Sequence, residues 1–264
     1  MSAVRKALTV AGSDPSGGAG IQADLKTFSS LRVYGMAVVA ALTAQNTLGV
    51  SDLAEVSPAF VGAQLDAVLV DLPPDSAKTG MLMTAGVIDI VSQKLKQYAV
   101  PNLVVDPVMA SKSGVPLLNR DAVGVFRRAL LPLALIITPN TDEATILTGR
   151  EVRTIEDMEE AALHIHGMGA RYVLIKGGHI ASDQATDVLF DGKDFFHFDA
   201  ARLGARDTHG TGCVLSAAIA ANLATSKTVH EAVRLGKDFV TNAIKNGLRI
   251  GSGVGPCDPL SLEN

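Results

Sequence analysis

The run Thr208-His209-Gly210-Thr211-Gly212-Cys213 leads directly into an alanine-rich stretch of helical composition, Val214–Ala224. Gly210 and Gly212 leave backbone N–H groups unobstructed at the positive end of a helix dipole. That is a ready site for a phosphate, or for charge developing on a transferred phosphoryl group. Cys213 falls within the first turn, where the same dipole favours thiolate. The spacing therefore predicts a lowered thiol pKa and a side chain able to accept a proton or act as a nucleophile. The alternative is a small buried hydrophobe that begins a helix. Cys257, after Pro256, has no comparable setting and reads as structural.

A second glycine-rich loop, Gly12–Gly20, precedes a helix pattern at Ile21–Leu31. Its Gly18-x-Gly20-x-x-Ala23 formally matches the dinucleotide fingerprint. The glycines stand well past the strand end, however, and about twenty residues on, where an acid should meet the ribose, the chain has Thr43-Ala44-Gln45. No Walker A motif occurs. A loop of small residues that contacts a substrate fits better.

Other polar residues fall at strand ends. Asn140-x-x-Glu143 is either a helix cap or a holder of hydrated Mg2+, which uses few protein carboxylates. Asp106, beside Pro107, is a turn residue or a metal or proton ligand. Lys176, last in the apolar run from Tyr172, must reach something polar. The six histidines include no H-x-x-x-H, so no zinc spacing arises. His209 beside Cys213 raises a Cys/His hydrolase reading, but a nucleophile and its base normally meet across a fold and not within one tight loop.

These residues need elements to position them. Strand patterns at Ala7–Ala11, Ala37–Thr43, Ser76–Gly80, Asn102–Asp106, Leu133–Thr138 and Tyr172–Lys176 alternate with helix patterns at Ile21–Leu31, Phe60–Leu69, Val87–Tyr98, Val123–Leu130, Thr141–Leu147 and Ile155–Met168. A hairpin, Ala185–Phe190 with Phe195–Phe198, and two helices, Cys213–Ala224 and Thr228–Arg249, follow. The alternation predicts right-handed βαβ units: a three-layer α/β/α domain over residues 1–264, with a mostly parallel central sheet and an antiparallel hairpin on one edge. Ligands of such folds collect at the carboxyl ends of the strands, where the residues above fall.

Composition excludes several classes. Lys and Arg number 23 against 27 Asp and Glu, for a net charge of -4, so there is no basic footprint for nucleic acid. Two cysteines make no disulfide framework, which fits a reducing compartment. The uncharged stretches Val33–Ser51 and Thr208–Ser226 are interrupted by Gly, Thr, Asn or Gln, too polar for a bilayer span. Glycine, at 25 of 264 residues, exceeds the usual ~7% and clusters in the loops named above.

The chain resembles the ribokinase-like kinases, and within them the hydroxymethylpyrimidine and hydroxymethylpyrimidine phosphate kinases of thiamine biosynthesis. The resemblance rests on Ala11-Gly-Ser-Asp-Pro-Ser-Gly-Gly-Ala-Gly-Ile-Gln-Ala-Asp-Leu-Lys26, Thr43-Ala-Gln-Asn-Thr47, Lys78-Thr-Gly-Met81, Asp106-Pro-Val-Met109, Thr138-Pro-Asn140 with Glu143, Lys176-Gly-Gly-His179 and Thr208–Cys213. Sugar kinases of the superfamily carry an aspartate where Cys213 stands; pyridoxal kinases of the same branch share the thiol loop and are the rival. The resemblance implies an ATP-dependent phosphotransferase acting twice, with ATP as co-substrate, Mg2+ as cofactor, a cytoplasmic location and a homodimer. It implies that Gly210, Thr211 and Gly212 form the anion hole and that Cys213 is the base. Gly12, Asp24 and Gln45 would bind the aminopyrimidine, with Met81 and Val108 lining its pocket. Asp106, Asn140 and Glu143 would organise Mg2+ and its waters, Asn140 also facing ATP. Lys176, Thr208, Lys237 and Lys112 would face ATP. A binder of nucleotides or pyrimidines without catalysis is the alternative of another class.

Overall fold

A computed structural model describes residues 4–111, 114–178, 180 and 184–261. In chain order the elements are β1 (Lys6–Ser13), α1 (Gly20–Ser30), β2 (Tyr34–Asn46), β3 (Gly49–Glu55), α2 (Pro58–Asp71), β4 (Ser76–Thr79), α3 (Ala85–Gln97) and β5 (Leu103–Val105). Then come α4 (Ala122–Val125), continued by a π turn (Phe126–Leu130) and a 3-10 turn (Leu131–Leu133), β6 (Ile136–Ile137), α5 (Thr141–Thr148), α6 (Ile155–Gly167) and β7 (Tyr172–Ile175). The chain closes with β8 (Asp187–Phe190), β9 (Phe195–Phe198), α7 (Thr211–Ala224) and α8 (Val229–Lys245).

Among the described residues the strands form one sheet in the order β3-β2-β1-β4-β5-β6-β7-β8-β9. From β2 to β7 neighbours run parallel. The β8–β9 hairpin adds antiparallel strands at one edge. The opposite edge is antiparallel as well, through β3, which sequence reading does not reveal. The β3 sequence Gly-Val-Ser-Asp-Leu-Ala-Glu lies on an edge with most residues exposed, so it carries no buried face and no apolar alternation to betray it. The final helix also stops earlier than its pattern suggests, capped at Asn246.

The sheet is buried on both faces, which explains the unbroken apolar runs. Side chains alternate between two cores. Leu8, Val10, Leu103, Val105, Ile137, Val173 and Ile175 enter the core beneath α2, α3 and α6. Ala7, Val104, Ile136 and Leu174 enter the core beneath α1, α7 and α8. Alanine makes α7 thin enough to lie against the strands, and the Ser76 hydroxyl on β4 donates to the Ala220 carbonyl at 2.7 Å. Among the described residues no helix is long and apolar enough to cross a membrane.

Candidate active site

Because β1 and β4–β7 run parallel, their carboxyl ends lie along one edge of the sheet. A cavity of about 600 Å³ opens there. The structure brings Gly12, Gln45, Met81, Asp106, Val108, Asn140, Glu143, Lys176, Thr208, Gly210, Thr211, Gly212 and Cys213 into its wall. Strand order spreads them along it. Gln45, at the end of β2, stands towards one end, and Lys176, just past β7, towards the other. Met81, Val108 and Leu117, with Ala41 behind them, form an apolar wall.

At the start of α7, Gly210 adopts φ +82°, and a Cβ there would lie 1.9 Å from the Gly18 carbonyl oxygen. Only glycine lets the two glycine-rich loops meet at this distance. No side chain caps the helix, so its first-turn N–H groups face the cavity as free donors.

Cys213 is partly exposed to the cavity. The lowered thiol pKa expected from the dipole does not hold, because burial pushes the Cys213 thiol up to about 11. A helix terminus contributes about 1 kcal/mol, whereas desolvating a charge inside a protein costs several. Lys78, the largest opposing influence, pulls the other way without reversing the result. At neutral pH the group therefore rests as a thiol. The ionised fraction grows about tenfold per pH unit below the pKa, so the alkylation rate of Cys213 by iodoacetamide should rise tenfold per unit from pH 7 and level only near 11. Cys257 is buried, with 1% of its surface exposed, and should not contribute. A plateau at about pH 9, followed by mass spectrometry of the labelled peptide, would show an ordinary thiol.

Asp106, past β5, is nearly buried. Its Oδ1 accepts from Lys176 Nζ at 3.0 Å and from Thr138 Oγ1 at 3.3 Å, and its Oδ2 from Ser216 Oγ at 3.2 Å. Burial pushes its pKa up, but Lys176 and Lys78 together hold it below the usual carboxylate range. Asn140 and Glu143 form a full capping box on α5: the Glu143 N–H donates to Asn140 Oδ1, and the Asn140 N–H to Glu143 Oε2, both at 2.8 Å. The same Oε2 lies 3.9 Å from Lys176 Nζ, so the pair caps the helix and faces the cavity at once. Burial pushes Glu143 up to about 7. Burial would lower the Lys176 pKa, but Asp106 and Glu143 raise it, so a charged ammonium stands between two carboxylates.

Two expected site residues lie elsewhere. Asp24 is wholly buried and does not line the cavity. Its Oδ1 accepts from Lys78 Nζ at 3.0 Å and its Oδ2 from Thr9 Oγ1 at 2.7 Å. Buried behind the cavity wall, it serves as counter-ion to a buried lysine, whose charge it and Asp106 stabilise against burial. Lys237 is likewise absent from the wall. Its ammonium meets Asp187 Oδ2 and the Ala185 carbonyl, each at 2.8 Å. Asp187 in turn accepts from the Gly177 N–H at 3.0 Å, so this pair pins the strand end that presents Lys176. Lys112 lies outside the described residues.

Three further polar groups belong to the site, although the sequence assigns them no role there. Lys78 lies beneath Cys213 and Asp106. Asp14 and His209 both line the cavity, with His209 Nε2 2.8 Å from Asp14 Oδ2. An Asp-Pro-Ser turn and a histidine inside the Thr208–Cys213 loop were the available signals, but their pairing spans 195 positions.

A family model described as phosphomethylpyrimidine kinase matches residues 14–258. The chain belongs to that family. It is 45% identical over 261 residues to the hydroxymethylpyrimidine/phosphomethylpyrimidine kinase of Bacillus subtilis, covering 98% of this chain and 96% of that one. It is 50% identical over 249 residues to a thiamine biosynthesis bifunctional protein of Geobacter sulfurreducens, covering 94% of this chain but only 51% of that longer relative. The fold is that of the pyridoxal kinase from Staphylococcus aureus solved in complex with AMP-PCP and pyridoxal, with a TM-score of 0.90 and 38% identity over 98% of this chain and 94% of that one. The chain is thus a phosphotransferase of ribokinase-like fold, in a branch whose members include kinases solved with adenine nucleotides.

Proposed function

We propose that this chain is an ATP-dependent kinase that phosphorylates hydroxymethylpyrimidine to its monophosphate and then to its diphosphate in thiamine biosynthesis, as one ribokinase-like domain. The observation that carries the reading is the make-up of one cavity. It sets Cys213 and the uncapped start of α7 between Gln45 with an apolar wall on one side and the Asp106–Lys176–Glu143 cluster on the other.

Phosphoryl transfer is mostly positioning and charge stabilisation. The pyrimidine ring would lie against Met81 and Val108. The Gln45 amide supplies both a donor and an acceptor to a ring with neighbouring amino and nitrogen groups. The hydroxymethyl oxygen would attack the γ-phosphorus, passing its proton to Cys213 in its thiolate form as the bond to the leaving ADP oxygen breaks, and the N–H groups of Gly210–Cys213 would stabilise the charge on the transferred group. A base whose pKa lies near 11 is scarce in its thiolate form but strong once formed. Lys176, with Thr208 and Asn140 nearby, would receive the ATP phosphates.

Asp106 and Glu143 fit Mg2+, which is typically held by one or two carboxylates together with phosphates and water. When bound, the ion would neutralise charge on the β- and γ-phosphates. Lys176, 3.0 Å from Asp106 Oδ1, would share that carboxylate with the ion. The cofactor, a homodimeric assembly and a cytoplasmic location all enter this reading from the family resemblance.

The second reading is a pyridoxal kinase, favoured by the likeness to the S. aureus enzyme. Steady-state ADP release with Mg-ATP and each acceptor in turn separates the two. We expect a kcat/KM for hydroxymethylpyrimidine at least tenfold above that for pyridoxal, and the reverse order would select the second reading. No turnover of either would favour a non-catalytic binder.

A further inference from the structure

Three of the Asp14 carboxylate's four lone-pair sites are filled within its own loop. Its Oδ1 accepts from the Ser16 N–H at 2.9 Å and the Ser16 hydroxyl at 2.7 Å, and its Oδ2 from the Ala19 N–H at 2.9 Å. Burial pushes its pKa up, yet the hydrogen bonds from His209 and Ser16 hold it below its ordinary value. It is therefore an anion that can only accept. His209 Nε2, 2.8 Å from Oδ2, must carry a proton and donate it.

That proton fixes a neighbour. The Gln45 amide sits with Nε2 3.2 Å from the same His209 Nε2 and with Oε1 3.1 Å from Thr43 Oγ1. In that orientation two N–H groups face each other. The Thr43 hydroxyl, with one proton, would also have to choose between Gln45 and the Ser13 carbonyl at 3.0 Å. Turning the amide by 180° resolves both conflicts. Gln45 Oε1 then accepts from the His209 N–H, shared with Asp14. Gln45 Nε2 donates to Thr43 Oγ1, and the Thr43 hydroxyl donates to Ser13.

The histidine cannot easily turn away. Its backbone N–H donates to the Gly255 carbonyl at 3.0 Å, and its backbone carbonyl accepts from the Cys257 N–H at 3.1 Å. Its ring packs on Gly18, where a Cβ would lie 2.6 Å from Cδ2.

We propose that Asp14 and His209 are positioning residues that lock the Gln45 amide with its oxygen towards His209 and its nitrogen towards Thr43. The pair thereby fixes the donor–acceptor order the cavity offers to a bound ring. Neither residue need touch the ligand. The remaining Oε1 lone pair and Nε2 proton, held in one order, match an exocyclic amino group beside an unprotonated ring nitrogen. They oppose the tautomeric reverse, a ring carbonyl beside a ring N–H. A site built to hydrogen-bond in one order rejects the other strongly, because buried polar groups are left facing like groups. The specificity half of this proposal rests on the pyrimidine reading above; the orientation half does not.

Two measurements test it. Neutron diffraction from deuterated crystals of the free protein should show a deuteron on His209 Nε2 directed at Asp14 and the Gln45 ND2 group facing Thr43; ND2 facing His209 would overturn the proposal. Calorimetric titration with hydroxymethylpyrimidine and with its oxo counterpart should show the wild type preferring the amino ring by about a hundredfold or more. Asp14→Asn keeps the shape but can donate to His209, letting the imidazole change tautomer and Gln45 turn, so the preference should collapse at least tenfold. Affinities that weaken by equal factors, with the ratio preserved, would reduce Asp14 to a structural residue and overturn the specificity claim. If the wild type bound neither ring, the pyrimidine reading would fall, and the neutron result would still decide the orientation.

Discussion

Cys213→Ala is expected to lower kcat about a thousandfold while ATP binds with unchanged affinity, measured by single-turnover kinetics and by calorimetric titration with a non-hydrolysable nucleotide. A positioned base contributes typically 10²–10⁴-fold, and the donors at the start of α7, being backbone groups, survive the substitution. Cys213 lines the cavity from the first turn of α7, and its truncation leaves the Asp106–Lys176 pair intact, so removing the sulfur should spare nucleotide contacts. Cys213→Asp separates loss of a base from loss of shape. A carboxylate in this setting should have its pKa pushed up by burial, as Glu143 does, and should restore a measurable part of turnover. Equal loss in both variants with weakened nucleotide binding would mean that the cysteine shapes the loop and takes no proton.

The second large effect falls on Lys78. Lys78→Met should destabilise the protein by about 3–5 kcal/mol, because it leaves Asp24 as an uncompensated buried charge. Both side chains are 0% exposed and 3.0 Å apart. Removing both charges together, in Lys78→Met with Asp24→Leu, should recover most of that loss, since apolar replacements of a buried pair are often neutral. Urea denaturation at constant m-value reads the stability. The double variant also settles what Asp24 is for. A role as counter-ion predicts that calorimetry still detects pyrimidine binding in the refolded double variant, whereas a direct ligand contact predicts its loss at full stability. Lys78 also faces Cys213 and Asp106, so turnover should fall even where folding is restored.

The strands and their ends were legible because they are buried on both faces: Leu8 and Val10 enter one core and Ala7 the other, which writes an apolar run into β1. Knowing where parallel strands end is enough to gather Gly12, Gln45, Asp106, Asn140 and Lys176 at one edge, whereas the Thr208–Cys213 loop was read from its glycines and the helix it opens. The rest depended on neighbours that sequence spacing does not encode. The edge strand β3 has no buried face. The family resemblance made Asp24 a ligand, but its partner Lys78 is 54 positions away. Lys237 looked like an ATP contact, yet β8 supplies Asp187 to hold it. The Cys213 pKa was misjudged because the dipole can be read from a helix start, whereas the depth of burial that outweighs it cannot. His209 was weighed only against the adjacent cysteine, while its partner Asp14 lies in the other glycine-rich loop.

The central claim is that one cavity performs two successive transfers onto one pyrimidine. A phosphorus NMR time course with excess Mg-ATP and hydroxymethylpyrimidine tests it most directly. The account predicts a phosphomonoester resonance that rises and then declines as the paired resonances of a diphosphate ester appear, all of it absent with Cys213→Ala on the same timescale. ADP formation with no phosphorylated pyrimidine, while pyridoxal gives a phosphomonoester under the same conditions, would contradict it.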